Sequence, residues 1–139
     1  GDSGSYLLGF SFSIFLIFIY NWNHHISPFF IILLLWYPSF ENLFSIARKN
    51  VLNRSPMYPD AKHMHQLIFS YIKKRYNLNI FSANILTGQT INLYNLIVFF
   101  VGLNFITNSK IQILLILLNI VTYTFIYYKF FKFKYQKND

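Results

Sequence analysis

The chain has 139 residues, of which 55% are hydrophobic and 22% aromatic, while only 12% are charged. A soluble domain carries about 25% charged residues, so this chain lacks the polar side chains to cover a water-facing surface, and its apolar residues gather in runs of the length that crosses a bilayer as a helix. The net charge of +8 does not point to nucleic acid, because the basic residues cluster at the ends of the apolar runs.

Four runs read as membrane spans, at about 5–21, 28–47, 89–107 and 111–128. The expected fold is therefore an all-α polytopic membrane domain: four transmembrane helices of a larger bundle, with one polar loop at 48–82 and a tail at 129–139. Strict alternation is missing, which argues against a β-barrel. The absence of cysteine excludes disulfides and thiolate metal sites.

The chain opens on "GDSGSYLLGF". Asp2 and Ser3 are good helix N-caps, and Gly1 and Gly4 permit a tight turn. This is either a plain capped span or a carboxylate held at a helix N-terminus at the membrane surface. No basic segment precedes the first run and no small-residue cleavage site follows it, so it is not a signal peptide. The start without Met, hard against a span, reads as the C-terminal part of a longer membrane protein. In the short loop "NWNHHIS", 21–27, His24 and His25 have no carboxylate nearby and read as solvated.

The second run contains Pro38, expected to kink the helix, and Glu41 three residues on. A carboxylate within a span faces a bundle interior or a wet cavity, unless it reaches the interface and pairs with Arg48 or Lys49. Both readings stand, with a supporting role for Glu41 favoured over direct catalysis. In the 48–82 loop, Pro56 and Pro59 keep "RSPMYPD" out of regular helix. Asp60 is placed to cap a helix from Ala61 through "HMHQLIFSYIKKRY". His63 and His65 are two apart, not the four of paired helical zinc ligands. With Arg54 and Lys62 they suit oxyanions, although the same charges can serve only to set topology.

The last two spans carry Asn92, Asn95, Asn104 and Asn119, which can bond across helices for about 0.6 kcal/mol each. The tail "YYKFFKFKYQKND" interleaves aromatics and lysines, a pattern for the interface with anionic lipid. Seven of the twelve basic residues lie between the second and third runs and four follow the fourth. By the positive-inside rule the loop and the tail face the cytoplasm, and four crossings return Gly1 to that side.

Two segments in order carry a family resemblance. "GDSGSYLLGF" resembles the Gly-Asp-x-Gly-Ser motif, and "RSPMYPDAKHMHQLI" the Arg-Ser-Pro-x-x-Pro-Asp-x-x-His-x-His-His loop, of the polyprenyl-phosphate N-acetylhexosamine-1-phosphate transferases (glycosyl transferase family 4, membrane type). Pro38 to Glu41 fits the intervening Pro-x-x-acid, and the match covers about residues 1–70. The chain departs from the pattern at Gln66, where the family has a third histidine, and at Glu41, where aspartate is commoner. The family's earlier acidic motifs would lie upstream of Gly1.

The resemblance implies an enzyme that transfers a sugar 1-phosphate, N-acetylhexosamine 1-phosphate, from a UDP-sugar to a polyprenyl phosphate at the cytoplasmic face of the cell membrane. UMP is released, Mg²⁺ is required (Mn²⁺ as a substitute), and the lipid-linked product feeds envelope polysaccharide. It assigns Asp2 to the metal, and Asp2, His63 and His65 to catalysis. Ser5, Arg54, Lys62 and Gln66 would bind substrate. With one certain carboxylate, these 139 residues alone are expected to be inactive. Alternatives from the same residues are phospho-N-acetylmuramoyl-pentapeptide transfer and a non-catalytic lipid-binding subunit or remnant.

Overall fold

A computed structural model describes residues 2–53, 55 and 61–135, with the side chains of Asp2 and Ser5 left out. The described residues form six helices and no strand: α1 Asp2–Trp22, α2 Pro28–Leu34, α3 Trp36–Val51, α4 Met64–Tyr76, α5 Ile80–Leu103 and α6 Ser109–Tyr135. Of these, α5 and α6 are each long and apolar enough to cross a membrane, and the bent pair α2–α3 makes a third if it is one span. In α1 the apolar stretch is the shorter Tyr6–Trp22. Its side chains are exposed all round, with Tyr6 76% and Leu8 73% accessible, and Leu16 is its one buried residue among those described. Such surfaces are compatible with a lipid bilayer, where no water opposes their exposure.

The kink expected from Pro38 lies at Leu35, where α2 and α3 meet at 70°. A proline ring clashes with the carbonyl four residues earlier. Here that residue is Leu34, so the helix stops there and restarts at Trp36. Leu35 takes φ −98° and ψ 5°, and its carbonyl accepts from Ser39 N–H at 3.2 Å.

The α1–α2 loop and the α5–α6 turn lie at one end of the bundle. Ser27 N–H donates to the Ile106 carbonyl at 2.9 Å, and the Ser27 and Ser109 hydroxyls are 2.9 Å apart. Gln112 closes the α5 C-terminus, its Nε2 donating at 2.8 Å to the carbonyls of both Gly102 and Phe105. His24 and His25 in the first of these loops are exposed. At the opposite end α4 lies against α5 and α6, burying Met64, Leu67, Ile68 and Ile72.

Several boundaries differ from expectation. The third long helix begins at Ile80, nine residues before position 89, because Asn79 caps it by accepting from Ser82 N–H at 2.7 Å. The last helix continues through the lysine-rich tail to Tyr135. In α4 the start is Met64, after His63, and not Ala61; Asp60, its expected cap, falls outside the described residues, as do Arg54, Pro56 and Pro59. Of the four asparagines, Asn119 alone bonds across helices, accepting from Tyr94 O–H at 2.5 Å, whereas Asn95 and Asn104 donate to carbonyls of their own helix.

Two glycines of α5 provide a stability test. A Cβ on Gly102 would stand 2.8 Å from Leu33 Cδ2 and 3.3 Å from Phe30 Cε2, and Leu33 is 1% exposed. A Cβ on Gly88 would meet nothing within 4 Å. Gly88→Ala should therefore gain about 0.5–1 kcal/mol from helix propensity. Gly102→Leu should lose about 1–3 kcal/mol to overpacking. Thermal unfolding in detergent reads both; equal shifts would contradict this α2–α5 packing.

Candidate functional site

Glu41 is 9% exposed and lies one and a half turns into α3. Its carboxylate collects three donors from two separate stretches of chain. Oε1 accepts from His63 Nδ1 and from Met64 N–H, both at 3.0 Å, and Oε2 accepts from Tyr123 O–H at 2.6 Å. A carboxylate only accepts, so the His63 proton is assigned to Nδ1, which leaves Nε2 as the ring's acceptor nitrogen. The Met64 N–H is one of the unpaired donors of the α4 N-terminus, where the helix dipole also favours an anion. Of the two readings open for Glu41, pairing with Arg48 or Lys49 is replaced by this interior arrangement, which satisfies the charge from α4 and α6.

An aromatic cluster walls the carboxylate. Tyr123 meets Phe40 and Phe44 edge-on at 5.0 and 5.4 Å, and Phe44 meets Tyr127 at 4.7 Å. The histidine loop is fixed on its other side as well. Gln66 Oε1 accepts from His63 N–H at 3.2 Å, which leaves the Gln66 amide N–H₂ as a donor. The His63 and His65 rings lie nearly parallel, 17° apart with centroids 5.7 Å apart. They thus form one pair, although one residue separates them in a segment that is just turning helical. His65 is the more open of the two. Desolvation lowers its pKa from the usual imidazole value, the Glu41 charge opposes this, and the His63 ring adds to it.

The end of α6 holds the chain that leads into this pair. Lys134 Nζ donates to the Ala61 carbonyl at 2.9 Å. Lys62 Nζ sits 5.8 Å from the Phe131 ring and 5.7 Å from the Tyr135 ring. Lys62, expected on substrate, is thereby placed on two aromatic faces. Tyr123 and Lys134 were not among the expected site residues. A signal was present: Tyr123, Tyr127, Phe131 and Tyr135 recur every four residues, one face of a helix, and their rings follow one another at 6.2, 5.9 and 4.7 Å.

The structure therefore brings together His63, His65 and Gln66, with Lys62 alongside and Glu41 beneath. Asp2 and Ser5 lie in the first turns of α1, their side chains outside the described residues, and Arg54 is outside altogether. The described residues do not fit a Mg²⁺ site. Among them no three acidic or histidine side chains converge, Glu41 is committed to three donors, and Mg²⁺ prefers carboxylate and phosphate oxygens over imidazole. No family model matches the chain, and no curated protein or solved structure shows significant similarity to it.

Proposed function

We propose that the chain is part of a membrane transferase that moves a sugar 1-phosphate, N-acetylhexosamine 1-phosphate, from a UDP-sugar to a polyprenyl phosphate. In this reading α1, α2–α3, α5 and α6 are four spans, and the α3–α5 connection faces the cytoplasm. The observation that supports it most is the hydrogen bond between Glu41 and His63. These are the acid of the intervening Pro-x-x-acid element and the first histidine of the loop motif, two of the elements that the family resemblance covers.

An acceptor phosphate oxygen attacks the phosphorus that bears the sugar; the bond to the bridging oxygen breaks, and its electron pair leaves with UMP. A phosphate monoester is largely dianionic at pH 7, so the nucleophile needs no base. The task for the protein is to gather donors around negative charge. His63, with Nδ1 held by Glu41, and His65 beside it grip the diphosphate and the departing UMP, and the Gln66 amide adds an uncharged donor. Asp2 is assigned to Mg²⁺ by resemblance alone.

The test is UMP release from UDP-N-acetylglucosamine in membranes carrying the protein expressed from its full natural reading frame, with polyprenyl phosphate and Mg²⁺ supplied. Asp2→Asn should abolish release while leaving the amount of folded protein unchanged. Release at the unmodified rate would remove Asp2 from the metal role, and absence of release from the unmodified protein would refute the reaction.

A second prediction concerns protons. Desolvation lowers the His65 pKa below the usual imidazole value, and a bound diphosphate stabilises the charged form. Binding of the UDP-sugar should therefore take up a proton at mildly acid pH. Calorimetry in two buffers of different ionisation heat measures it. Proton release, or no exchange at all, would contradict diphosphate contact at His65.

A further inference from the structure

A cleft of about 580 Å³ opens between α4, α5 and α6, with Met64 at the end next to the histidine pair and Trp36 and Tyr37 of α3 closing one side. Its volume is in the range of small-molecule sites. Most of the lining is hydrocarbon and aromatic, including Ile68, Leu86, Ile91 and Ile126, while Tyr71 and Tyr76 of α4 and Lys129 of α6 also reach it. Lys129 and Tyr76 are exposed, and Lys73, Lys74 and Arg75 in the last turn of α4 are exposed beside them. An apolar trough with phenols and an ammonium group at its margin has the polarity of an amphiphile: a hydrocarbon chain inside and an anionic head at the rim.

From these observations we infer that the cleft binds one anionic phospholipid, an acyl chain between α5 and α6 and the phosphate at Tyr71, Tyr76 and Lys129. Met64 and this basic rim lie at different ends of the cleft, so a head bound at the rim is not the phosphate of a reacting acceptor. Tyr71 and Tyr76 lie seven and twelve residues beyond Met64, about 10 and 18 Å along α4 at 1.5 Å per residue, which puts such a head out of reach of His63 Nε2. The lipid is thus a resident of the fold and not a substrate. It fills space that α4 leaves open, and this assignment does not depend on the proposed reaction.

The test uses the whole chain purified in detergent, with phosphatidylglycerol, phosphatidylcholine and a short polyprenyl phosphate as probes. Native mass spectrometry counts retained lipid and thermal unfolding reads stabilisation. One phosphatidylglycerol should be retained per chain in preference to phosphatidylcholine, raising the midpoint. Lys129→Glu should weaken the preference at least about fivefold, the worth of one lysine at an anionic surface. Ile126→Trp, which puts an indole into the trough, should abolish retention of either phospholipid while the lipid-free midpoint stays at the unmodified value. Equal retention of the two phospholipids, or full retention by Ile126→Trp, would overturn the site. Displacement of phosphatidylglycerol by polyprenyl phosphate at equal concentration would overturn the identity of its occupant.

Discussion

Replacing Glu41 with leucine should destabilise the protein by about 3 kcal/mol or more, the largest loss expected from any single side chain described. The substitution removes one acceptor group but strands three donors, His63 Nδ1–H, Met64 N–H and Tyr123 O–H. A buried donor left without a partner costs about 1–3 kcal/mol, and here three lose theirs together. The surroundings are aromatic and 9% accessibility leaves little room for water to repair the loss. Glu41→Gln keeps one acceptor oxygen and should lose much less. Thermal unfolding in detergent compares them. A loss for the leucine variant within about 0.5 kcal/mol, the scatter of neutral surface changes, would show that the three contacts do not persist together.

His63→Ala should weaken UDP-sugar binding about 10- to 100-fold, the range for one hydrogen bond to a charged group, whereas His24→Ala should leave it unchanged. Both are histidines at helix starts or loops, so general charge effects cancel in the comparison. His63 is held by Glu41 on one side and stacked by His65 on the other; His24 is exposed at the far end of the bundle. Equilibrium binding of a radiolabelled UDP-sugar measures the difference, and equal effects of the two substitutions would remove the nucleotide from the loop. Tyr123→Phe separates positioning from contact. It deletes only the hydroxyl on Glu41 Oε2, so it should lower stability by about 1–2 kcal/mol with a smaller effect on binding than His63→Ala.

The helical class and the long apolar elements were legible from hydropathy, because composition alone decides whether a segment can sit in lipid. So was the break near Pro38, although its place at Leu35 follows only from asking which carbonyl the ring strikes. Helix ends were read less well. Residues 80–88 mix Ser, Asn and Thr with Ile and Leu, and hydropathy left them outside the span, yet Asn79 starts a helix there. The lysines at 129, 132 and 134 likewise hid a helix that carries on past the apolar run. His63 and His65 were visible as a polar island in an apolar chain. What fixes them was not, because Glu41 and Tyr123 are 82 positions apart and no local pattern couples residues at such a distance.

That separation bears on how the molecule is made. Ribosomes deliver chain from the N-terminus, and contacts between distant positions form late. When α3 and the segment after it first leave the translocation machinery, Glu41 can already meet His63, but the Tyr123 hydroxyl and the Lys134 clasp on Ala61 have not yet been synthesised. The histidine pair is therefore seated only when the last helix docks. A chain stopped short of Tyr123 carries every expected site residue, yet its carboxylate lacks one of its three donors. The final helix thus completes the set of contacts that hold the histidine loop, and an unfinished chain should be less stable there.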